Sequence, residues 1–191
     1  MFTLLFVVEC CFRGFYIKKY TIDVSHSTLS FSVRHMMISK IHGTFESYNA
    51  EIAAVNIEKM QDASISITIA VASVSTKNHD RDIHLVSPDF FDADVYPKIV
   101  FTSTYIDKQN DNNFLIHGDL TIKNITRPIV FTTVYTGNGV NPWAQEVYGF
   151  QAKAQIDRRD FNLVYNTILE TGGILISDEI DIVVDVELSP L

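Results

Sequence analysis

Strict alternation of apolar and polar residues recurs along most of this 191-residue chain. In residues 65–71 Ile, Ile, Ile and Val occupy every second position, with Ser, Thr and Ala between them. A period of two turns one set of side chains toward a core and the other toward water, which is typical of antiparallel sheets with one wet face. Similar runs occur at residues 20–24, 29–35, 114–122, 129–135, 150–156 and 180–188.

Turn-forming residues separate these runs. The Asn-Asp-Asn-Asn segment at residues 110–113 predicts a hairpin tip, and Lys123 with Asn124 predicts another turn. The glycines, asparagines and proline within residues 137–142 are expected to break the chain before Trp143. The alternating runs are therefore predicted to be separate, sequentially connected strands.

About eight consecutive antiparallel strands must protect their edges, and closure into a barrel does so completely. One short helix is expected near residues 78–86, where Ser87 can cap a helix and Pro88 can occupy its first position. The sequence therefore predicts an all-β antiparallel barrel of about eight strands with one short helix. A sandwich remains an alternative from the periodicity alone. The interior of an eight-stranded barrel can be filled by side chains or can hold one small ligand.

Composition argues against nucleic acid as a partner. The formal net charge is -8, and the largest basic clusters are the pairs Lys18–Lys19 and Arg158–Arg159. A nucleic-acid surface needs a broader basic stripe to displace counterions. The two cysteines, Cys10 and Cys11, are adjacent and predict no disulfide framework, which is compatible with a reducing compartment.

The first residues differ from the rest of the chain. Residues 1–12 are mostly apolar but shorter than the roughly 20 residues that span a bilayer. Basic residues follow this run, whereas a secretory signal has them before it. We therefore predict an extension at residues 1–19, a barrel domain at residues 20–191, no stable membrane span and a cytoplasmic location. A periplasmic or secreted location is the alternative if residues 1–19 act as a signal.

A series of short motifs resembles the YceI-like family, over roughly residues 20–188. The match rests on their order more than on any one motif. They are Asp23-Val24-Ser25-His26-Ser27 and the segments at residues 31–37, 43–45, 81–92, 96–101, 118–122, 127–128, 149–150 and 158–161. The resemblance implies a lipocalin-like barrel with a helix beside it. It also implies a long apolar tunnel suited to polyisoprenoid chains or similar amphiphiles.

Four positions depart from the family pattern, because Asn124, Ala144, Asn162 and Ser177 stand where glycine is usual. Asparagine tolerates the left-handed conformation better than most residues. The two asparagines are therefore expected to preserve their turns.

Inward-facing positions of the alternating runs, and three phenylalanines outside these runs (Phe45, Phe91 and Phe101), are assigned to the cavity wall. The predicted ligand-binding residues are Leu29, Phe31, Val33, His35, Phe45, Ile67, Ile69, Phe91, Phe101, Leu120, Phe131, Phe150 and Ile156. His35 has three interpretations: a core histidine satisfied by a neighbour, a polar anchor for a ligand head group, or a metal ligand. The spacings of the six histidines fit no metal motif, so no metal is expected.

Two further residue sets could carry chemistry or structure. Asp23, His26 and Ser27 supply the residue types of a hydrolase triad, but the chain lacks a G-x-S-x-G elbow, so no catalytic residue is assigned. Asp82 and Arg158 are predicted to form a structural ion pair that ties the helix to the barrel. Alternatively, Arg158 binds an anionic head group.

Phe90 and Phe91 are expected to plug one end of the barrel, with a lid as the alternative. The resemblance implies a non-enzymatic protein without a cofactor that binds, sequesters or transports a polyisoprenoid or an isoprenoid quinone. Two alternatives stay open: an enzyme acting on an isoprenoid-like substrate, and a structural or stress-related protein whose barrel is filled by its own side chains. The expected partner is a hydrophobic small molecule, and a homodimer is left open.

Overall fold

The computed structural model describes residues 16–167 and 175–191, so residues 1–15 of the predicted extension lie outside the described residues. The described chain contains antiparallel strands and the helix α1 (His79–Val86). The strands are β1 (Lys18–Ile22), β2 (Thr28–His35), β3 (Ser39–Phe45), β4 (Tyr48–Ala54), β5 (Ser64–Ala70), β6 (Val74–Ser75), β7 (Lys98–Lys108), β8 (Asn113–Ile122), β9 (Ile125–Val140), β10 (Glu146–Asp157) and β11 (Ile176–Pro190).

Eight of these strands close into a barrel. The order is β1-β4-β5-β7-β8-β9-β10-β11, and β1 pairs with both β4 and β11. The wall has no free edge at this point because the first and last strands of the barrel are hydrogen-bonded to each other. The predicted antiparallel barrel of about eight strands with one short helix is confirmed.

The remaining strands lengthen the wall on one side. Strand β11 is long enough to pair with β1 near its end, through residues 188–190, and with β2 through residues 176–185. Strand β2 then pairs with β3, and β3 with the short β6. Residues 23–27, between β1 and β2, are therefore the point where one edge of β11 changes partner.

The two ends of the barrel differ. The helix end carries α1, the Lys123–Asn124 turn and a 3₁₀ turn at Arg158–Phe161. The loop end carries residues 55–63 together with the hairpin tips at residues 109–112 and 141–145. At the loop end Ile57 and Met60 are buried in the main core cluster, which closes this side with apolar side chains.

Several local predictions need correction. The helix begins after Asn78, whose side chain accepts a hydrogen bond from the Arg81 amide, and Ser87 ends it rather than starting a helix at Pro88. The predicted break at residues 137–142 is too long, because β9 continues to Val140 with a register shift opposite Gly149. The positive φ of Gly137, 130°, accommodates this irregularity without a turn.

Strand boundaries also differ from the predicted ones. Strands β3 and β4 were not predicted, since their alternation is interrupted by small residues such as Gly43 and Ala50. The first strand begins at Lys18, two residues inside the predicted extension. In the described part of the chain, no helix has the length and apolar character required to cross a bilayer.

The substitutions at glycine positions have different outcomes. Asn162 adopts a left-handed φ of 57° and ends the 3₁₀ turn, as predicted. In the β8–β9 turn the left-handed residue is Lys123, with a φ of 57°, and not Asn124. Ala144 has a φ of 61°, a conformation that costs a residue with a Cβ roughly 1–2 kcal/mol.

Candidate ligand cavity

The barrel contains a cavity of about 410 Å³ with an almost entirely apolar wall. All thirteen predicted ligand-binding residues lie on this wall. Their contact with a ligand stays a prediction. The prediction omitted further apolar wall residues, because some strands were not recognised and several recognised runs were assigned only in part or not at all. These residues are Ile22, Ile41, Ile52, Met60, Ile65, Ile99, Ile116, Ile122, Ala152, Ile180, Ile182, Val184, Val186 and Leu188.

Period-two alternation builds this wall directly. In β11, Ile180, Ile182, Val184 and Val186 line the cavity. Between them, Asp181 and Asp185 accept hydrogen bonds from polar side chains of neighbouring strands. Asp181 accepts hydrogen bonds from Lys40 at 2.8 Å and Gln155 at 3.0 Å, and the Lys40 contact lowers the pKa of Asp181 below its ordinary value. The outer face is thus held by polar contacts that leave the inner face apolar.

Two glycines set the position of two phenylalanine rings of the wall. Gly43 lies opposite Phe31 in the β2–β3 register, and a methyl group at this glycine would overlap the Phe31 ring. Gly118 pairs with Ser103, and a methyl group there would overlap the ring of Phe101 and the carbonyl oxygen of Thr102. A larger residue at either glycine would push an aromatic ring into the cavity, so both glycines control its shape.

One face of α1 completes the wall at the helix end. Arg81, His84 and Leu85 line the cavity, and their spacing of three and four residues places them on one face of the helix. The His84 imidazole lies 2.9 Å from an Asp89 carboxylate oxygen. The His84 ring also packs edge-on against Tyr165, with ring centroids 4.7 Å apart.

Phe90 and Phe91 both reach the cavity from the segment after α1. The Phe90 ring packs edge-on against His84, with centroids 5.0 Å apart, and Phe91 packs against Phe45 at 6.1 Å. Phe90 is buried and Phe91 partly buried. They therefore contribute packing at the helix end. Their role as a plug, with a lid as the alternative, stays a prediction.

The predicted pair between Asp82 and Arg158 is wrong. The guanidinium of Arg158 is 3.1 Å from the carboxylate of Asp178, and Asp82 instead accepts hydrogen bonds from the amide and hydroxyl of Thr76. The prediction of Asp82 rested on charge complementarity and on the family resemblance. Asp178 lies in β11, the strand that follows the 3₁₀ turn of Arg158.

Arg158 is nearly fully buried, with 3% of its surface exposed, and it organises the helix end. Besides Asp178, it donates to the carbonyl oxygens of Ser177, Leu163 and Tyr165. Burial lowers its pKa, and Asp178 opposes this effect. Its donors are committed to the protein, which disfavours the alternative in which Arg158 binds an anionic head group.

His35 lies on the cavity wall, half-buried, opposite Ile176 in the β2–β11 register. Among the described residues, the cluster with spacing suitable for a metal is Asp23, His26 and Glu187, and it does not include His35. Within residues 16–167 and 175–191, His35 therefore belongs to no such cluster.

Asp23, His26 and Ser27 do not form a catalytic relay. The His26 Nδ1 atom lies 2.9 Å from Asp23, and the Ser27 hydroxyl oxygen accepts a hydrogen bond from the Glu187 amide. Hydrogen bonds from Ser25 and then His26 lower the pKa of Asp23, and the Asp23 contact raises the pKa of His26. This exposed group stabilises the connection between β1 and β2, outside the cavity.

The family model for the YceI-like domain matches residues 20–188. The chain belongs to the YceI-like family. It is 32% identical over 171 residues to a UPF0312 protein of Staphylococcus aureus strain MSSA476, covering 89% of this chain and 96% of the relative. This YceI-like chain thus matches such relatives over nearly their whole length.

Solved structures share the fold of this YceI-like protein. A Campylobacter jejuni YCEI protein superposes with a TM-score of 0.71 at 30% identity, covering 82% of this chain and 88% of that chain. Burkholderia cenocepacia BcnA superposes with a TM-score of 0.75 at 24% identity, covering 87% and 98%. A polyisoprenoid binding domain from Saccharophagus degradans gives a TM-score of 0.67 at 14% identity, covering 91% and 99%. The last two likenesses show the fold alone.

Proposed function

We propose that this protein binds an elongated apolar molecule, a polyisoprenoid or an isoprenoid quinone, inside the barrel and sequesters or transports it without catalysing a reaction. The observation that carries the proposal is the apolar cavity of about 410 Å³. This volume lies within the range of roughly 300–1,000 Å³ typical of small-molecule sites. The fold shared with a polyisoprenoid binding domain supports the same ligand class.

Chain length should dominate affinity in such a site. Each buried methylene contributes about 0.8 kcal/mol, which corresponds to roughly a fourfold change in Kd. The apolar wall offers little hydrogen bonding along its length, so the tail supplies most of the binding free energy until the cavity is full.

The cavity also bears on the two alternatives. A barrel filled by its own side chains would leave no space of this size, so the volume favours a bound molecule. An enzyme acting on an isoprenoid-like substrate would need a reactive group in the cavity, and His35 remains the first residue to test. Loss of turnover in His35→Ala would be required to support that alternative.

The experiment is to measure binding of geraniol, farnesol and geranylgeraniol by calorimetry. Ala152 lies on the wall and Lys153, its neighbour in β10, is exposed. We expect affinity to rise with chain length and to fall about tenfold or more in Ala152→Phe, where the ring occupies ligand space. The matched control Lys153→Phe adds the same ring outside and should bind normally. Absence of binding by the wild-type protein, or unchanged binding by Ala152→Phe, would contradict the proposal.

A further inference from the structure

The turn between β2 and β3 exposes three apolar side chains to water. Met36 is 40% exposed, Met37 61% and Ile38 84%. These residues follow one another in the chain, so they form one continuous apolar tip at the helix end of the barrel. Contiguous exposed apolar residues mark an interaction surface, whereas single ones are ordinary.

The backbone of this tip is strained. Met36 has a φ of 52° and Met37 a φ of 60°, and the Ile38 amide donates to the His35 carbonyl oxygen at 3.0 Å. A turn with positive φ at both central residues is of type I′, where asparagine followed by glycine is the usual pair. Methionine is disfavoured in this left-handed region because of its Cβ. Strained residues of this kind are concentrated at functional positions, and stability of the turn does not explain the two methionines.

The tip lies beside the wall of the cavity. His35, at the start of the turn, and Ile41, in β3, both line the cavity. The Met36 amide donates to the carbonyl oxygen of Leu175 at 2.8 Å, and Leu175 is also a wall residue. The Leu175 amide in turn donates to the Thr167 carbonyl oxygen at 3.0 Å. The tip therefore projects from the rim of the cavity.

A fourth exposed apolar residue lies on the same rim. Val164 is 60% exposed, while its neighbours Leu163 and Tyr165 line the cavity. The guanidinium of Arg158 binds the carbonyl oxygens of both neighbours and fixes this segment. The Asn166 side chain donates at 2.8 Å to the first residue of β11, which pairs with His35. Val164 thus belongs to a segment that adjoins the strand next to the tip.

Basic residues flank the tip. Arg34 and Lys40 face each other in the β2–β3 register and are exposed. Within residues 16–167 and 175–191, no carboxylate forms an ion pair with Arg34. Lys40 lies 2.8 Å from Asp181, in an exposed contact that water and salt screen. This arrangement matches a bilayer with anionic lipids, because apolar side chains enter the boundary of the acyl region while cations stay at the head groups.

The exposed apolar residues of the loop end fit such a surface less well. Val140 and Trp143 are exposed there. Glu146 pairs with Val140 in the β9–β10 register, and Glu58 accepts a hydrogen bond from Asn138. Carboxylates are repelled by an anionic surface. The two ends of the barrel thus differ in the sign of the charge beside their apolar residues.

We infer that residues 36–38 dock this protein on a lipid bilayer that contains anionic lipids, with Arg34 and Lys40 at the head groups. The inference goes beyond the proposed function, because docking requires no molecule in the cavity. One consequence rests on the proposed function: an apolar ligand would pass between the bilayer and the cavity at this rim.

The test is cosedimentation of the full chain with vesicles of phosphatidylcholine alone and of phosphatidylcholine mixed with phosphatidylglycerol. Binding to the mixed vesicles should exceed binding to the neutral ones and should weaken as salt is raised. Met37→Asp should weaken it about tenfold or more, since a carboxylate replaces an inserted apolar group. Arg34→Gln should weaken it about fivefold, as expected for one basic residue at an anionic surface. The matched control Lys153→Gln removes an exposed charge of β10 and should bind like wild type.

A double variant, Met36→Asn with Met37→Gly, separates docking from folding. Asparagine and glycine relax the turn, so the urea midpoint should equal or exceed that of the wild-type protein. Binding to the mixed vesicles should nevertheless fall, because the apolar side chains are gone. Full vesicle binding by this variant would contradict the inference.

Fluorescence locates the contact. Trp143 is the single tryptophan of the chain, so Trp143→Phe gives a background in which Ile38→Trp reports on the tip and Val140→Trp on the loop end. Emission from Ile38→Trp should move to shorter wavelength on mixed vesicles, whereas emission from Val140→Trp should not.

The outcomes separate this inference from the proposed function. Absence of vesicle binding by the wild-type protein, or unchanged binding by Met37→Asp, would overturn the docking inference. The proposed function would stand in that case if prenols still bind, and the tip would be left to a protein partner. Vesicle binding without prenol binding would overturn the proposed function and support docking.

Discussion

Removal of the buried Arg158 guanidinium should destabilise the helix end of the barrel strongly. In Arg158→Gln the side chain can no longer satisfy the carbonyl oxygens of Leu163, Tyr165 and Ser177, and Asp178 loses its nearest cation. Breaking a buried ion pair by removing one partner costs about 3–5 kcal/mol. The three carbonyl contacts place this variant in that range, since each unsatisfied buried acceptor costs about 1–3 kcal/mol and neighbouring groups or water recover part of it.

Asp178→Asn should cost less. The Asp178 side chain is 27% exposed, and Arg158 keeps its backbone acceptors, so we expect about 1–2 kcal/mol. The assay is urea denaturation followed by circular dichroism, arranged as double-mutant cycles. Arg158 and Asp178 should show a coupling free energy of about 1 kcal/mol or more, whereas Arg158 and Asp82 should be additive within about 0.5 kcal/mol.

Two outcomes would refute this reasoning. Coupling of Arg158 to Asp82 equal to its coupling to Asp178 would mean that the helix is tied to the barrel by the pair predicted from the sequence. An Arg158→Gln variant within about 0.5 kcal/mol of wild type would mean that the buried guanidinium is replaceable by water. Arg159→Gln serves as a control, since Arg159 also contacts Asp178, at 3.3 Å, but is exposed.

Three further perturbations test other parts of the structure. Titration of His26 by NMR should give a pKa above the ordinary imidazole value, and Asp23→Asn should lower this pKa. The contact between the two side chains therefore stabilises the fold at acidic to neutral pH. This contribution is lost as pH rises through the raised pKa of His26, and it is also lost as pH falls through the depressed pKa of Asp23. Ala144→Gly should raise the free energy of unfolding by about 1 kcal/mol in urea denaturation, because glycine removes the strain at φ 61°. An unchanged free energy of unfolding would mean that the turn relaxes in the wild-type protein. Gly118→Ala should lower the free energy of unfolding by about 1–3 kcal/mol and weaken prenol binding, because the added methyl displaces the ring of Phe101. Unchanged stability together with unchanged prenol binding would contradict the assigned packing.

The barrel could be predicted because its strands repeat one simple pattern. The run at residues 180–188 alternates so regularly that the cavity face of β11 follows from the sequence. Strand β3 could not be predicted in the same way, since Gly43 occupies an inward position where a large residue would overlap Phe31. The exchange of partners along one edge of β11 is also absent from local patterns, because it depends on pairing between residues more than 140 positions apart.

The candidate site was predictable in its apolar part only. Alternation places Phe31 and Ile156 on the wall without knowledge of the fold. The contacts of Arg158 depend on a 3₁₀ turn and on the chain returning beside it as β11. Charge complementarity and the family resemblance therefore pointed to Asp82 instead of Asp178. The orientation of Arg81 likewise depends on Thr76, which precedes the helix and accepts hydrogen bonds from the guanidinium through its hydroxyl and carbonyl oxygens.

Native mass spectrometry of the freshly purified protein, followed by organic extraction, tests the central claim most directly. The account predicts a stoichiometric long-chain amphiphile that leaves the protein on extraction and is absent from Ala152→Phe. An empty barrel that stays empty after incubation with prenols, prenyl phosphates, isoprenoid quinones and fatty acids would contradict it.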